Sequence, residues 1–125
     1  MNLIGELNRE LYTRLGFEVS TSDVIITDER IAHIEARHPS DYARFCSYIP
    51  EMIAHPDYVI AANKPNTAVI LKEITDGKER FKLILRFRMT DDPEGYLNSI
   101  ISFWCIGTTT WEKTLRNKKI LYKRE

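Results

Sequence analysis

The spacing of apolar residues changes period once along this chain, at Tyr58, and that change limits what it can fold into. Before Tyr58 apolar side chains recur every three or four positions, and after it they alternate. The clearest alternation is Arg80-Phe81-Lys82-Leu83-Ile84-Leu85-Arg86-Phe87-Arg88. It reads as a β-strand with Phe81, Leu83, Leu85 and Phe87 on one face and Arg80, Lys82, Arg86 and Arg88 on the other. The first set is a core face. The second is a row of like charges, costly unless water, carboxylates or a bound polyanion meets it, with a phosphate backbone as the first candidate.

In the helical half, Leu3, Ile4, Leu7, Leu11 and Leu15 predict a helix over residues 3–15, stopping at Gly16. Val24-Ile25-Ile26-Thr27 is a short extended run, and Asp28 starts a helix through Arg37 with Ile31 and Ile34 inward. Pro39 disfavours helical geometry at His38 and ends it. Ser40 is placed to cap the next helix, along which Tyr42, Phe45, Ile49, Met52 and Ile53 recur, with Pro50 kinking or restarting it and His55-Pro56 ending it. Four strands are then predicted, Tyr58 to Ala62, Thr67 to Ile74, Arg80 to Met89 and Tyr96 to Gly107, joined by turn-rich links that include Thr75-Asp76-Gly77-Lys78. A last helix covers Trp111 to Leu121, with a basic tail of Arg116, Lys118, Lys119, Lys123 and Arg124. The expected fold class is α+β, with N-terminal helices on one face of a four-stranded antiparallel sheet and a short C-terminal helix.

At 125 residues with no linker or repeat, the expectation is a single domain over 1–125, comprising an N-terminal helical segment at 1–20 and a core at 22–125. No apolar run reaches the length of a membrane-spanning helix, and Met1-Asn2-Leu3-Ile4-Gly5-Glu6 lacks the basic and apolar regions of a signal peptide. The cytoplasm is therefore the expected compartment. Cys46 and Cys105 are far apart and indicate buried free thiols rather than a disulfide framework or a metal site. Net charge is zero, yet residues 1–60 carry 5 arginines against 10 acids while residues 61–125 carry 13 basic residues against 8 acids. Such asymmetry suits nucleic-acid contact; the alternative is an acidic helical half satisfied internally by a basic sheet half.

The fourth strand adds to the cationic row. Strict alternation puts Leu97, Ser99, Ile101, Phe103 and Cys105 on one face and Asn98, Ile100, Ser102, Trp104 and Ile106 on the other. If the third and fourth strands pair, Ser102 and Trp104 flank Arg86 and Arg88. An aromatic beside arginines offers bases a stacking surface and phosphates a charged rail, although a tryptophan can equally pack under a C-terminal helix.

Catalysis also needs a group that moves protons, and the chain has three histidines. His33 and His38, five residues apart on a helix turning ~100° per residue, point ~140° apart, which argues against a shared metal. His38, at a helix end in Arg37-His38-Pro39, is the better placed for chemistry, and His55 has a similar setting; each is also simply a helix stop. Glycine-rich phosphate loops, nucleophile elbows and metal-type carboxylate clusters are lacking in the sequence, and Asp91-Asp92 reads as a solvated turn. What remains is a helix-end histidine, a cationic strand and hydroxyls from Ser102, Thr108 or Tyr122, a set with which RNA can be cleaved without a metal.

At these residues the chain resembles the phage-associated nucleases of the Barnase, EndoU, colicin-type tRNase and RelE superfamily. The resemblance runs from about Val24 to Tyr122, through Ile34-Glu35-Ala36-Arg37-His38-Pro39, Ile53-Ala54-His55-Pro56-Asp57-Tyr58, Asn63-Lys64-Pro65-Asn66-Thr67-Ala68, Asn98-Ser99-Ile100-Ile101-Ser102-Phe103-Trp104 and Asn117-Lys118-Lys119-Ile120-Leu121-Tyr122. It implies helices before a four-stranded antiparallel sheet, and metal-independent RNases, many of them toxins or phage-borne effectors. It maps the active surface to His38, Arg86 and Ser102, with Lys72 as an added basic candidate.

The expectation is an endoribonuclease that cleaves RNA, with tRNA as one target, by transesterification to a 2′,3′-cyclic phosphate. His38 is its general base or acid, Arg86 its phosphate clamp and Ser102 a donor to phosphate. Arg37, Lys72, Arg88, Trp104 and Tyr122 are expected to bind substrate. No cofactor is expected; the expected partners are the RNA and an immunity or antitoxin protein, with no membrane contact. The alternatives are a non-catalytic module binding RNA or protein through the same sheet, and a purely structural phage-associated domain.

Overall fold

A seven-stranded mixed sheet corrects the four-stranded antiparallel one that periodicity predicts. The computed structural model describes residues 2–74 and 78–125, so the turn expected at Thr75-Asp76-Gly77 lies outside the described residues. In chain order the elements are β1 (Asn2–Glu6), α1 (Arg9–Arg14), β2 (Asp23–Ile26), α2 (Asp28–Arg37), α3 (Asp41–Phe45), a 3-10 turn (Cys46–Tyr48), α4 (Ile49–Ala54), β3 (Tyr58–Ala61), β4 (Thr67–Ile74), β5 (Glu79–Arg86), β6 (Asn98–Ile106), α5 (Thr108–Asn117) and β7 (Ile120–Lys123). The strand order is β1-β2-β6-β5-β4-β3-β7, antiparallel throughout except for the parallel pair β2 and β6.

The four expected strands form β3 to β6; the other three come from segments read as helix or as a short extended run. Of the helix predicted over 3–15, only Arg9–Arg14 forms, because the Asn8 side chain accepts the Leu11 amide at 3.1 Å and starts the helix there. Upstream, Asn2–Glu6 pairs with β2, and Gly5 lets β1 pass close to α4: a Cβ at this position would stand 3.2 Å from Ile53 Cδ1. At the other end α5 stops at Asn117 and Lys118 turns extended, so that Ile120–Lys123 pairs with β3 and the Ala61 amide donates to Lys119 O at 3.0 Å. Pairing satisfies backbone groups on the β3 edge that would otherwise meet only water. Between Ser40 and Ala54 the predicted helix is broken into α3, the 3-10 turn and α4, with Pro50 in the first turn of the last.

Helices lie on both faces. On one, α1, α2 and α4 bury Tyr12, Ile34, Ile49, Met52 and Ile53 against Phe81, Leu83, Leu85, Phe87 and Phe103 of the sheet region, as the alternation of β5 predicts. On the opposite, outer face, α5 packs Trp111 against Ile60, Leu71 and Ile106. The C-terminal helix thus covers the side of the sheet that carries the cationic row.

In β6 the strict alternation fails. Ile84 is opposite Ser102 but Leu85 is opposite Ile100, so Ile101 is the extra residue of a bulge. Cross-strand partners share a face, which leaves Phe103 and Cys105 with the core residues of β5 and moves Ile100 beside Leu85. Ser99, Ser102, Trp104 and Ile106 face outward. Asn98, fully buried, holds the short β2–β6 pairing: its amide donates to Thr21 O at 2.7 Å and Asp23 O at 3.0 Å, and its Oδ1 accepts the Arg88 amide at 2.8 Å. Both cysteines are free and half-buried.

Candidate active site

The cationic side chains of β5 and its extension differ in what meets them. Arg80 is held by Glu73 at 3.5 Å and donates to Thr108 Oγ1 at 3.1 Å. Arg86 makes a two-pronged contact with Asp92, at 3.0 and 2.9 Å, and the Met89 amide fixes the same carboxylate at 2.8 Å. The guanidinium, then the amide, hold the Asp92 carboxyl below the usual carboxylate range. Arg88 reaches Ser20 Oγ at 3.4 Å and Asp92 O at 3.5 Å. Lys82 has no such partner among the described residues; its ammonium lies 5.4 Å from the centre of the Trp104 ring. Burial, and then the nearby Lys118, push the Lys82 pKa down.

Of these, Lys82 and Arg86 line a cleft of about 580 Å³ on the outer face. Its floor is Thr67 and Val69 of β4 with Lys82, Ile84 and Arg86 of β5; Thr114 and Lys118 wall it at the end of α5, Arg30 and Ile101 on the β6 side, and Asn63, Lys64 and Pro65 at the β3–β4 loop. The described lining contains Arg30, Lys64, Lys82, Arg86 and Lys118 and no acid. A concave, partly apolar surface with cations and no carboxylate is suited to a phosphorylated organic ligand.

His38 and Trp104 do not line this cleft; His38 is linked to it through Trp104, the cross-strand partner of the lining residue Lys82. The histidine ends α2, and its ring stacks on Trp104 with centroids 4.9 Å apart and planes 2° from parallel. The corner that follows turns through Ser40 at φ 72° rather than through a side-chain cap, and Asp41 then accepts the Cys105 amide at 3.0 Å. Since β2 pairs with β6 only at Asn98 and Ser99, this corner occupies the edge of β6 that β2 leaves uncovered. Trp104 therefore contacts His38 and Lys82 and packs with the Trp111 cluster under the C-terminal helix.

The register departs from the expected neighbours: Trp104 is opposite Lys82, Ser102 opposite Ile84, and Ser99 is the residue beside Arg86. Ser102 shares the outer face with the cleft floor. Arg37 is exposed on the last turn of α2. Lys72 and Tyr122 are not brought to this surface. Lys72 is buried on the helix-covered face, where its ammonium donates to His55 O at 2.6 Å and pairs with Asp57 at 3.4 Å. Tyr122 packs against the main core, near enough to Tyr12 to add to the upward push that burial gives the Tyr12 hydroxyl. His33 and His55 are exposed.

Arg30, Lys64, Lys82 and Lys118 are the cleft cations to which sequence reasoning gave no site role, Lys82 entering only as part of the cationic row. Lys64 and Lys118 lie in segments that carry the family resemblance, so a signal existed; Arg30 shows none, because only the packing of α2 beside β6 brings it in. Asp57 pairs with Lys72 and with Arg124, and Asp92 with the cleft residue Arg86, so part of the charge asymmetry is answered internally. Among the described residues no group of three or more His, Cys, Asp or Glu side chains gathers as a metal site, and no helix is long and apolar enough to cross a membrane.

Comparison with the curated proteins and with the solved structures gives no match. A family model described as phage-Barnase-EndoU-ColicinE5/D-RelE like nuclease2 matches residues 4–123, nearly the whole chain including β1 and β7. This match covers nearly the whole chain, and the chain belongs to the phage-Barnase-EndoU-ColicinE5/D-RelE like nuclease2 family.

Proposed function

We propose that this nuclease-family domain is a metal-independent endoribonuclease that cuts RNA by transesterification. The acid-free cationic cleft, with His38 stacked on Trp104, the strand neighbour of its Lys82, carries the reading. The cleft lies on the outer sheet face beside the end of α5, and its apolar floor at Val69 and Ile84 is a surface for a base. A base removes the 2′-hydroxyl proton and the 2′-oxygen attacks phosphorus. The P–O5′ bond breaks, an acid returns a proton to the 5′-oxygen, and a 2′,3′-cyclic phosphate remains. Imidazole titrates near neutrality and serves either proton step, so His38 takes one of them. Cations of the cleft stabilise the charge gathering on phosphorus, and Ser102 is a hydroxyl donor on the same face.

The working compartment of this reading is the cytoplasm, where tRNA is an abundant substrate and an immunity protein would cover the cleft. Incubation of the purified protein with total tRNA in EDTA tests it. Cutting that leaves cyclic phosphate ends, and its loss in His38→Ala, are expected; cutting abolished by EDTA, or kept in His38→Ala, would overturn the mechanism. Binding without cutting would identify a non-catalytic RNA-binding module.

A further inference from the structure

Of the cations on β5 and its extension, Arg80, Arg86 and Arg88 already have carboxylate, hydroxyl or carbonyl partners, and Lys82 has none among the described residues. The cleft it lines is also lined by Lys118, exposed and the C-terminal cap of α5. Its backbone is fixed, because the Lys118 amide donates to Thr114 O at 3.2 Å and the next carbonyl accepts the Ala61 amide at 3.0 Å. Two lysines from different elements thus line one acid-free cavity, close enough for Lys118 to act on Lys82. Burial and Lys118 both press Lys82 toward its neutral form, a cost that a shared anion would remove.

We propose that Lys82 and Lys118 form a phosphate-binding pair that grips one phosphate oxyanion of a nucleotide or nucleic-acid strand between β5 and the end of α5. Arg86, engaged by Asp92, holds the loop after β5 and borders the same site. The reversal relative to the expected emphasis on Arg86 and Arg88 is physical: a guanidinium with a two-pronged carboxylate partner must break that contact to take a phosphate, whereas an unpaired ammonium need not. A lysine is a compact charge with three donors and suits a phosphate approached from two sides. The inference rests on the proposed ribonuclease only in placing substrate in this cleft, and it does not require the chemistry.

Short single-stranded DNA separates the two, since it presents phosphates but no 2′-hydroxyl to attack. Its binding is measured by fluorescence anisotropy at several salt concentrations, beside NMR of the lysine ammonium signals during titration with the DNA and, separately, inorganic phosphate. Lys82→Met and Lys118→Ala are each expected to weaken DNA binding roughly ten-fold or more and to lower the salt slope by about 0.7. Arg14→Ala, the same charge change on the far face, is expected to leave it unchanged. Lys82 and Lys118 signals that shift with both ligands assign free phosphate as sufficient, and shifts with DNA alone assign the strand backbone. Affinity unchanged in both lysine variants, or reduced equally in all three variants, overturns the pair. Lysine-dependent DNA binding by a protein that cuts no RNA supports the pair and refutes the ribonuclease.

Discussion

Substitution at the buried Lys72–Asp57 pair distinguishes a structural lysine from a catalytic one. The side chains are 7% and 10% exposed, so removing either partner acts on a desolvated charge. The two removals are unequal. Without Lys72, Asp57 keeps Arg124 Nε at 2.7 Å and the Glu73 amide at 2.9 Å; what is lost is a long contact and the donor to His55 O. Lys72→Met retains an apolar stem of similar length, and its expected cost is about 1–2 kcal/mol, that of one unsatisfied carbonyl. Asp57→Ala leaves the Lys72 ammonium buried against one carbonyl and releases Arg124 as well, for an expected cost of about 3–5 kcal/mol. With a urea dependence of about 1–3 kcal/mol per molar, that gap separates the unfolding midpoints by on the order of 1 M. Urea unfolding followed by tryptophan fluorescence measures it, and RNA cleavage is assayed where each variant is fully folded. A Lys72→Met cost equal to or above that of Asp57→Ala would refute the energetic reasoning. Cleavage lost selectively in a folded Lys72→Met protein would return Lys72 to the chemistry.

Two further outcomes follow from particular contacts. Asn98→Ala leaves two carbonyls and the Arg88 amide without their buried partner and is expected to cost about 2–4 kcal/mol by thermal or chemical unfolding; a cost below 1 kcal/mol would show that water or a shift of β2 replaces them. The lowered Lys82 pKa sets a direction with pH: the ammonium is lost below the 10.5 of an ordinary lysine, so DNA binding falls as pH rises through that lowered value. Between the folded and unfolded values the unfolded chain binds more protons, so this group's contribution makes the ligand-free protein more stable as pH rises. DNA binding that stays constant until pH 10.5 in protein folded throughout would contradict the lowered Lys82 pKa.

Local periodicity located most elements. Asp28 to Arg37, the strand Thr67–Ile74 and the inward set Phe81, Leu83, Leu85 and Phe87 read correctly because each pattern has the period of its own backbone and one partner surface. The failures at both ends share a cause. Leu3, Ile4 and Leu7 fit a helical stripe, and Trp111 to Leu121 reads as one helix, but at Asn2–Glu6 and Ile120–Lys123 pairing to a neighbouring strand overrides the local pattern, and neither strand edge is visible from the segment itself. The bulge at Ile101 is of the same kind: an apolar run of Ile100, Ile101 and Phe103 carries no mark of which residue is extra, and the packing of Ile100 beside Leu85 chooses it.

By itself the chain determined its two periods, the core face of β5, the cation row and the histidine at a helix end, all set by side-chain chemistry within a few residues. Tertiary structure decided which cations are free. Lys72 is turned to the helix-covered face by strand parity, Arg86 meets Asp92 through a loop, and Lys118 and Arg30 enter the cleft from helices remote in sequence. Charge is a property of a residue, but whether that charge is already answered depends on neighbours that only folding supplies.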